Sequence, residues 1–135
     1  MSIYTKEEFM QAFELDKEIA KIVEQLEFLR HKLNSPSGAS IGLGSGVQKS
    51  RNIYADTDLL ADIIDLEEEL SMAKERLLDI EEKIQATIRP MPPILRITMT
   101  WRYIIRQPWK QIAREMEMSE MQLMRYHKAA FKLLS

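Results

Sequence analysis

The stretch WKQIAREMEMSEMQLMRYHKAAFKLLS, Trp109 to Ser135, decides how this chain is read. Ile112, Met116, Met118, Leu123 and Tyr126 are apolar at the spacings where two short helices pack on each other across a tight turn. Ala113 lies beside Ile112, where a crossing helix leaves no room for a larger side chain. Pro108 suits the first turn of a helix, because its missing N–H costs nothing there. Ser119, followed three residues later by Gln122, has the form of a capping box, so a second helix is expected to begin at about Glu120. Between the helices, Glu117 occupies a position that usually takes glycine because φ is positive. Either the turn differs from the usual one or Glu117 is mildly strained.

If Leu123, Tyr126 and Ala130 face inward, the 100° step of a helix puts Met121, Arg125, Lys128 and Lys132 on the outer face. These are side chains that DNA can use. Arg125 can fork onto guanine, Gln122 at the edge can pair with adenine, and Met121 can rest on a thymine methyl. Lys128 and Lys132, farther from the helix start, suit phosphates, as do Lys110, Arg114 and Arg106 from neighbouring elements. The competing reading is an ordinary basic solvent face.

Charge distribution weighs between the two. The net charge of −2 conceals a division: residues 1–88 hold 10 Lys and Arg against 18 Asp and Glu, whereas residues 89–135 hold 9 against 3. A basic module on an acidic arm is expected if only the C-terminal part meets a polyanion. Two oppositely charged surfaces that pair with each other would show the same division. Cysteine is absent, which excludes disulfides, thiolate metal sites and thiol nucleophiles. No run of 18 apolar residues exists, and the first residues lack the character of a signal peptide. A soluble, unexported protein of a reducing cytoplasm, without membrane contact, is the expectation.

Upstream, Thr5-Lys6-Glu7-Glu8 is another capping box, and Leu15, Ile19, Ile22, Leu26, Leu29 and Leu33 then alternate steps of four and three. This is a heptad seam on a first long helix, about 42 Å from Lys6 to Leu33 at 1.5 Å per residue. A second seam runs through Ile63, Leu66, Leu70, Ala73, Leu77, Ile80 and Ile84, from a start near Asp56 to a stop at Arg89-Pro90. The two are expected to pair as an antiparallel hairpin. Phe9, Phe13, Val23, Phe28, Ile64, Leu78 and Ile88 widen the apolar stripe beyond what two helices cover, so a homodimer through this arm is expected. Asn34 to Ala55 holds all four glycines and reads as a connector. After Pro90, Pro92 and Pro93, an apolar pattern through Ile94, Leu95, Ile97, Thr98, Trp101 and Ile104 or Ile105 predicts a third helix to Arg106 under the last two. The segments are thus 1–33 first helix, 34–55 connector, 56–89 second helix and 90–135 C-terminal module, in an all-α fold.

Other chemistry finds little support. Gly42 to Ser50 resembles a phosphate loop, but Gln48 stands where glycine must precede Lys49, and no strand leads into it, so no nucleotide is expected. His31 and His127 lack metal-binding spacing to Asp or Glu. Glu67-Glu68-Glu69 and Glu81-Glu82 point in successive directions around a helix and read as solvated faces. No catalytic constellation, metal site or cofactor is indicated.

The string from Trp101 to Ala113, continued by Ser119 to Leu134, resembles the fourth conserved region of bacterial sigma factors. It looks most similar to the version in small phage proteins, including late-gene activators of the RinA and ArpU type. The Gly-Ser-Gly-Val-Gln-Lys-Ser segment before the acidic second helix also resembles an uncharacterised phage and prophage family with this module. The similarity spans roughly residues 40–135. In sigma factors the region reads the promoter −35 element and touches RNA polymerase, so the resemblance implies transcription control in a phage or prophage. It places Glu120, Met121, Met124 and Arg125 at the DNA-facing start of the recognition helix, and it implies double-stranded DNA and bacterial RNA polymerase as partners. Two alternatives stand beside it: a DNA-packaging component similar to a terminase small subunit, and a coiled-coil adaptor that binds only protein.

Overall fold

A computed structural model describes residues 3–34 and 45–135, with side chains for 3–34 and 56–135. Every regular element among them is helical: α1 (Lys6–Asn34), α2 (Ser45–Ile88), α3 (Pro93–Met99), which runs into one π-helical turn (Thr100–Ile104), α4 (Trp109–Glu115) and α5 (Glu120–Leu134). The reciprocal capping box starts α1 as read. The Glu8 amide donates to Thr5 Oγ1 at 3.2 Å, and the Thr5 amide donates to Glu8 Oε1 at 3.1 Å. Donation from the Tyr4 amide, the Thr5 hydroxyl and the Thr5 amide to Oε1 holds the Glu8 carboxyl below its usual range. Helix α2 ends at Ile88, two residues before Pro90, and proline disfavours helical backbone in the residue before it.

Two expectations are corrected here. First, α2 begins at Ser45, eleven residues before Asp56, so the connector is shorter than 34–55. The run Val47-Gln48-Lys49-Ser50-Arg51-Asn52-Ile53-Tyr54-Ala55 contains neither glycine nor proline, and a single early Gly46 costs only about 1 kcal/mol. Residues 35–44, most of the glycine-rich segment, lie outside the described residues, as do the side chains of the phosphate-loop-like stretch. Second, the third helix is not one α-helix to Arg106. The Ile105 amide bonds the Thr100 carbonyl at 3.0 Å, five residues back, and Arg106 has φ 64°. The α-helical part buries Leu95, Thr98 and Met99 and the π turn buries Tyr103, whereas Ile94, Ile97 and Ile105 are exposed.

The described residues divide into two compact units, one of Met1–Lys17 with Glu75–Ser135, the other of Glu18–Lys74. The C-terminal segment 90–135 is therefore not a core of its own. Its buried residues Met91, Leu95, Met99, Tyr103 and Ala130 share one cluster with Ile3, Phe9 and Ala12 from the chain start and Ile84 and Ile88 from the end of α2. Phe9, read as flanking a seam, sits at the centre, edge-on to Tyr103 at 5.0 Å and to Phe131 at 5.1 Å. In the other unit Ile22 and Leu26 of α1 are buried with Ile63 and Ala73 of α2, flanked by Ile19, Leu29, Leu33, Leu66 and Leu70, whereas the seam residues Leu77, Ile80 and Ile84 belong to the first cluster. Arg30 and Glu67 add an ion pair at 3.3 Å there, both half-exposed and so of little weight. Of the side chains expected to widen the stripe, Phe28, Ile64 and Leu78 are exposed. No described helix is long and apolar enough to cross a membrane.

Candidate nucleic-acid interface

The connection between α4 and α5 is set by carbonyls that a helix end leaves without partners. The Met118 amide donates to the Ala113 carbonyl at 3.0 Å and the Glu117 amide to the Arg114 carbonyl at 3.3 Å. This pair of bonds closes a Schellman turn, which needs a left-handed residue between them. Glu117 supplies it at φ 53°, so the strained alternative read from the sequence is the one found. Pro108 precedes α4 as its N-cap, one position earlier than the first turn. Ser119 caps α5, its Oγ accepting from the Gln122 amide at 3.1 Å.

Capped and turned this way, α5 buries the predicted face. Leu123 and Ala130 are fully buried and Tyr126 is half-buried, while Ile112 beneath them is also fully buried. Helix α3 packs on α5 as well. On the opposite side Met121 (67% exposed), Met124, Arg125, Lys128 and Lys132 reach solvent, and Gln122 sits at the edge, half-buried. Lys110 and Arg114 on α4 are exposed too. Among the described residues, the cations in ion pairs are Arg30, Lys83 and Arg106, so every other predicted contact residue keeps its charge unpaired. Arg125 makes only a weak approach to the Met121 sulfur at 3.9 Å.

Arg106 departs from its predicted place among the phosphate contacts. Its guanidinium bonds Glu81 at 2.9 Å and lies 3.6 Å from Asp16, with 16% of the side chain exposed. Two carboxylates have claimed it, and it ties the segment after the π turn to α1 and α2. It is a structural residue and leaves the predicted interface.

Behind α5 stands an aromatic support that sequence reading missed. Tyr103, 1% exposed, contacts Phe9, Phe13 and Phe131 edge-on and lies nearly parallel to His127 at 5.7 Å. The Tyr103 hydroxyl and His127 Nε2 are 2.6 Å apart. Burial pushes the phenol up to about 12 and, with repulsion from Lys6 and Arg102, holds the imidazole down to about 4, so both are neutral at pH 7. Arg102 lies between the rings of Phe13 and Trp109, at 4.6 and 4.7 Å, and donates to the Gln107 carbonyl at 3.0 Å. Burial lowers its guanidinium from the usual value. An arginine that looks like part of a basic surface is thus consumed in holding Trp109, the first residue of α4. The only signal in the sequence was the aromatic density around Arg102, from Trp101 to Trp109.

No family model, curated protein or solved structure matches the chain.

Proposed function

We propose that this chain is a DNA-binding regulator, with α4 and α5 acting as a helix-turn-helix and α5 entering the major groove of duplex DNA. The observation that carries the reading is the outer face of α5: a capped helix, seated by Leu123 and Ala130, presents Met121, Gln122, Met124 and Arg125 at its start and Lys128 and Lys132 beyond, none of the cations neutralised by a carboxylate. Residues near the start of such a helix meet base edges and those farther along meet the backbone. Lys110 and Arg114 on α4 add phosphate contacts. The likeness to sigma region four, quoted above, favours transcription control in a phage or prophage, with RNA polymerase as a further partner. A hairpin of α1 and α2 carries the module, and exposed Phe28, Leu60, Ile64 and Met72 supply the apolar area for a homodimer.

The test is a fluorescence-anisotropy salt titration of the full chain on duplex DNA. Affinity falls steeply with salt, because phosphate contacts release counterions. Arg125→Ala costs about 1–3 kcal/mol and relaxes sequence preference, whereas Lys128→Ala weakens all sequences alike. No binding at low salt overturns the reading and leaves the protein-only adaptor.

A further inference from the structure

A second cationic feature lies beside the recognition helix, in a cavity of about 330 Å3 lined by Tyr4, Lys6, His127, Lys128 and Phe131. Two lysines line it and no acidic residue does. Neither lysine forms an ion pair among the described residues. Like charges lining one concavity raise its potential, and an anion between them lowers it.

Lys6 is not on a free tail. The Ile3 amide donates to Thr87 Oγ1 at 3.1 Å, the Ile3 side chain is buried, and the Thr5–Glu8 box fixes the entry to α1. Residues 3–6 are thereby anchored, and Tyr4 and Lys6 line the cavity together with residues of α5.

The wall from His127 adds direction to charge. Among the described residues the buried Tyr103 hydroxyl has one hydrogen-bond partner, His127 Nε2. Were Nε2 the donor, the phenolic hydrogen would be buried without an acceptor, an arrangement that folded proteins avoid. The phenol therefore donates, Nε2 accepts, and the neutral ring carries its hydrogen on Nδ1. No buried side-chain nitrogen or oxygen lacks a partner among the described residues, and Nδ1 has no protein partner, so Nδ1 is open to solvent on a ring that lines the cavity.

We propose that this pocket binds a phosphate group, Lys6 and Lys128 supplying charge and the Nδ1–H of His127 a directed hydrogen bond. A backbone phosphate of the duplex held by α5 and a free phosphate ion share this chemistry. The first source rests on the DNA-binding reading, and it makes Lys6, from the opposite end of the chain, a DNA contact.

Two arms test the site with the full chain. In the first, inorganic phosphate is titrated while long-range 1H–15N spectra follow the two imidazoles. His127 is expected protonated on Nδ1, with signals that move saturably with phosphate while those of exposed His31 stay put; Lys6→Ala weakens this response at least tenfold and Lys6→Arg restores it. In the second, duplex DNA is titrated at several salt concentrations. Lys6→Ala is expected to weaken binding about three- to tenfold and to reduce the log–log salt slope by about 0.9, one contact fewer, whereas Lys17→Ala, outside the pocket, does neither. A response to inorganic phosphate without DNA binding keeps the pocket, assigns it to the free ion and removes only the DNA reading. DNA binding unaffected by Lys6→Ala, with His127 indifferent to phosphate, overturns the pocket and leaves the DNA reading standing. A hydrogen found on Nε2 overturns the role given to His127.

Discussion

Replacing Arg106 tests the tie between the C-terminal helices and the rest of their unit, and the backbone makes the outcome unusual. The bond to Glu81 at 2.9 Å joins side chains only 16% and 23% exposed, so it is a charge-assisted bond with partial desolvation, worth about 1.5–3 kcal/mol. Asp16, at 3.6 Å and half-exposed, adds less than about 1 kcal/mol. Arg106→Ala is therefore expected to cost about 3 kcal/mol. Arg106 also holds φ 64°, which disfavours any residue with a Cβ by about 1–2 kcal/mol. Glycine escapes that cost but gives back about 0.5–1 kcal/mol through the unfolded chain. Arg106→Gly should thus be about 0.5–1 kcal/mol less damaging than Arg106→Ala, although it removes more of the side chain. Urea titrations read by the fluorescence of Trp101 and Trp109, both in this unit, measure the difference, and a cycle with Glu81→Gln isolates the pair at about 1.5–2 kcal/mol. An alanine variant within about 0.5 kcal/mol of wild type would refute the structural role of the pair, and a glycine variant worse than alanine would refute the strain.

Glu117→Gly removes the same kind of strain with no ion pair lost, so it should stabilise by up to about 1 kcal/mol in the same titration. Acid should weaken the unit through His127: its folded value is depressed to about 4, so stability is full above the unfolded value near 6.5 and declines as pH falls toward 4. With the ring partly open to solvent, about 1–2 kcal/mol should disappear between pH 7 and 5, and His127→Gln should flatten that slope. A peptide of residues 94–135 should show little helix by circular dichroism, because Phe9, Ala12, Ile84 and Ile88 are missing from its core; cooperative unfolding of the peptide would contradict this. Light scattering should find the full chain self-associated at tens of micromolar and Ile64→Asp dissociated, since Ile64 is exposed and belongs to the apolar area proposed for the homodimer.

What could be read in advance followed from periodicity and caps. The seam residues of α1 and α2, the Thr5 and Ser119 caps, the strained Glu117 and the two faces of α5 all depend on local spacing, and local spacing is visible in one dimension. The π turn is not: the single extra residue between Thr100 and Ile105 leaves no mark in composition. The start of α2 was hidden because the glycines of residues 38–46 dominate their window, although the stretch after Gly46 can form helix. Arg102 and Arg106 look like Lys110 and Arg114 in sequence. Only packing distinguishes them, since Phe13, Asp16 and Glu81 are remote along the chain. His127 has no carboxylate at metal-binding spacing in sequence, and its partner, the Tyr103 phenol, sits 24 residues away.

Phe9 against Phe131 has a consequence for how the protein comes into being. A ribosome adding about 5–20 residues per second makes Phe9 some 6–25 s before its partner exists. Throughout that interval the start of α1 has no finished surface to rest on, and Phe9 and Ala12 meet water. Vectorial synthesis cannot complete this unit piece by piece; its closure waits for the last helix to leave the ribosome. Long-range closure of this kind is slow and leaves apolar surface open to aggregation. A chain truncated just before α5 would keep every residue of the arm and still lack the partner that Phe9 was made to meet.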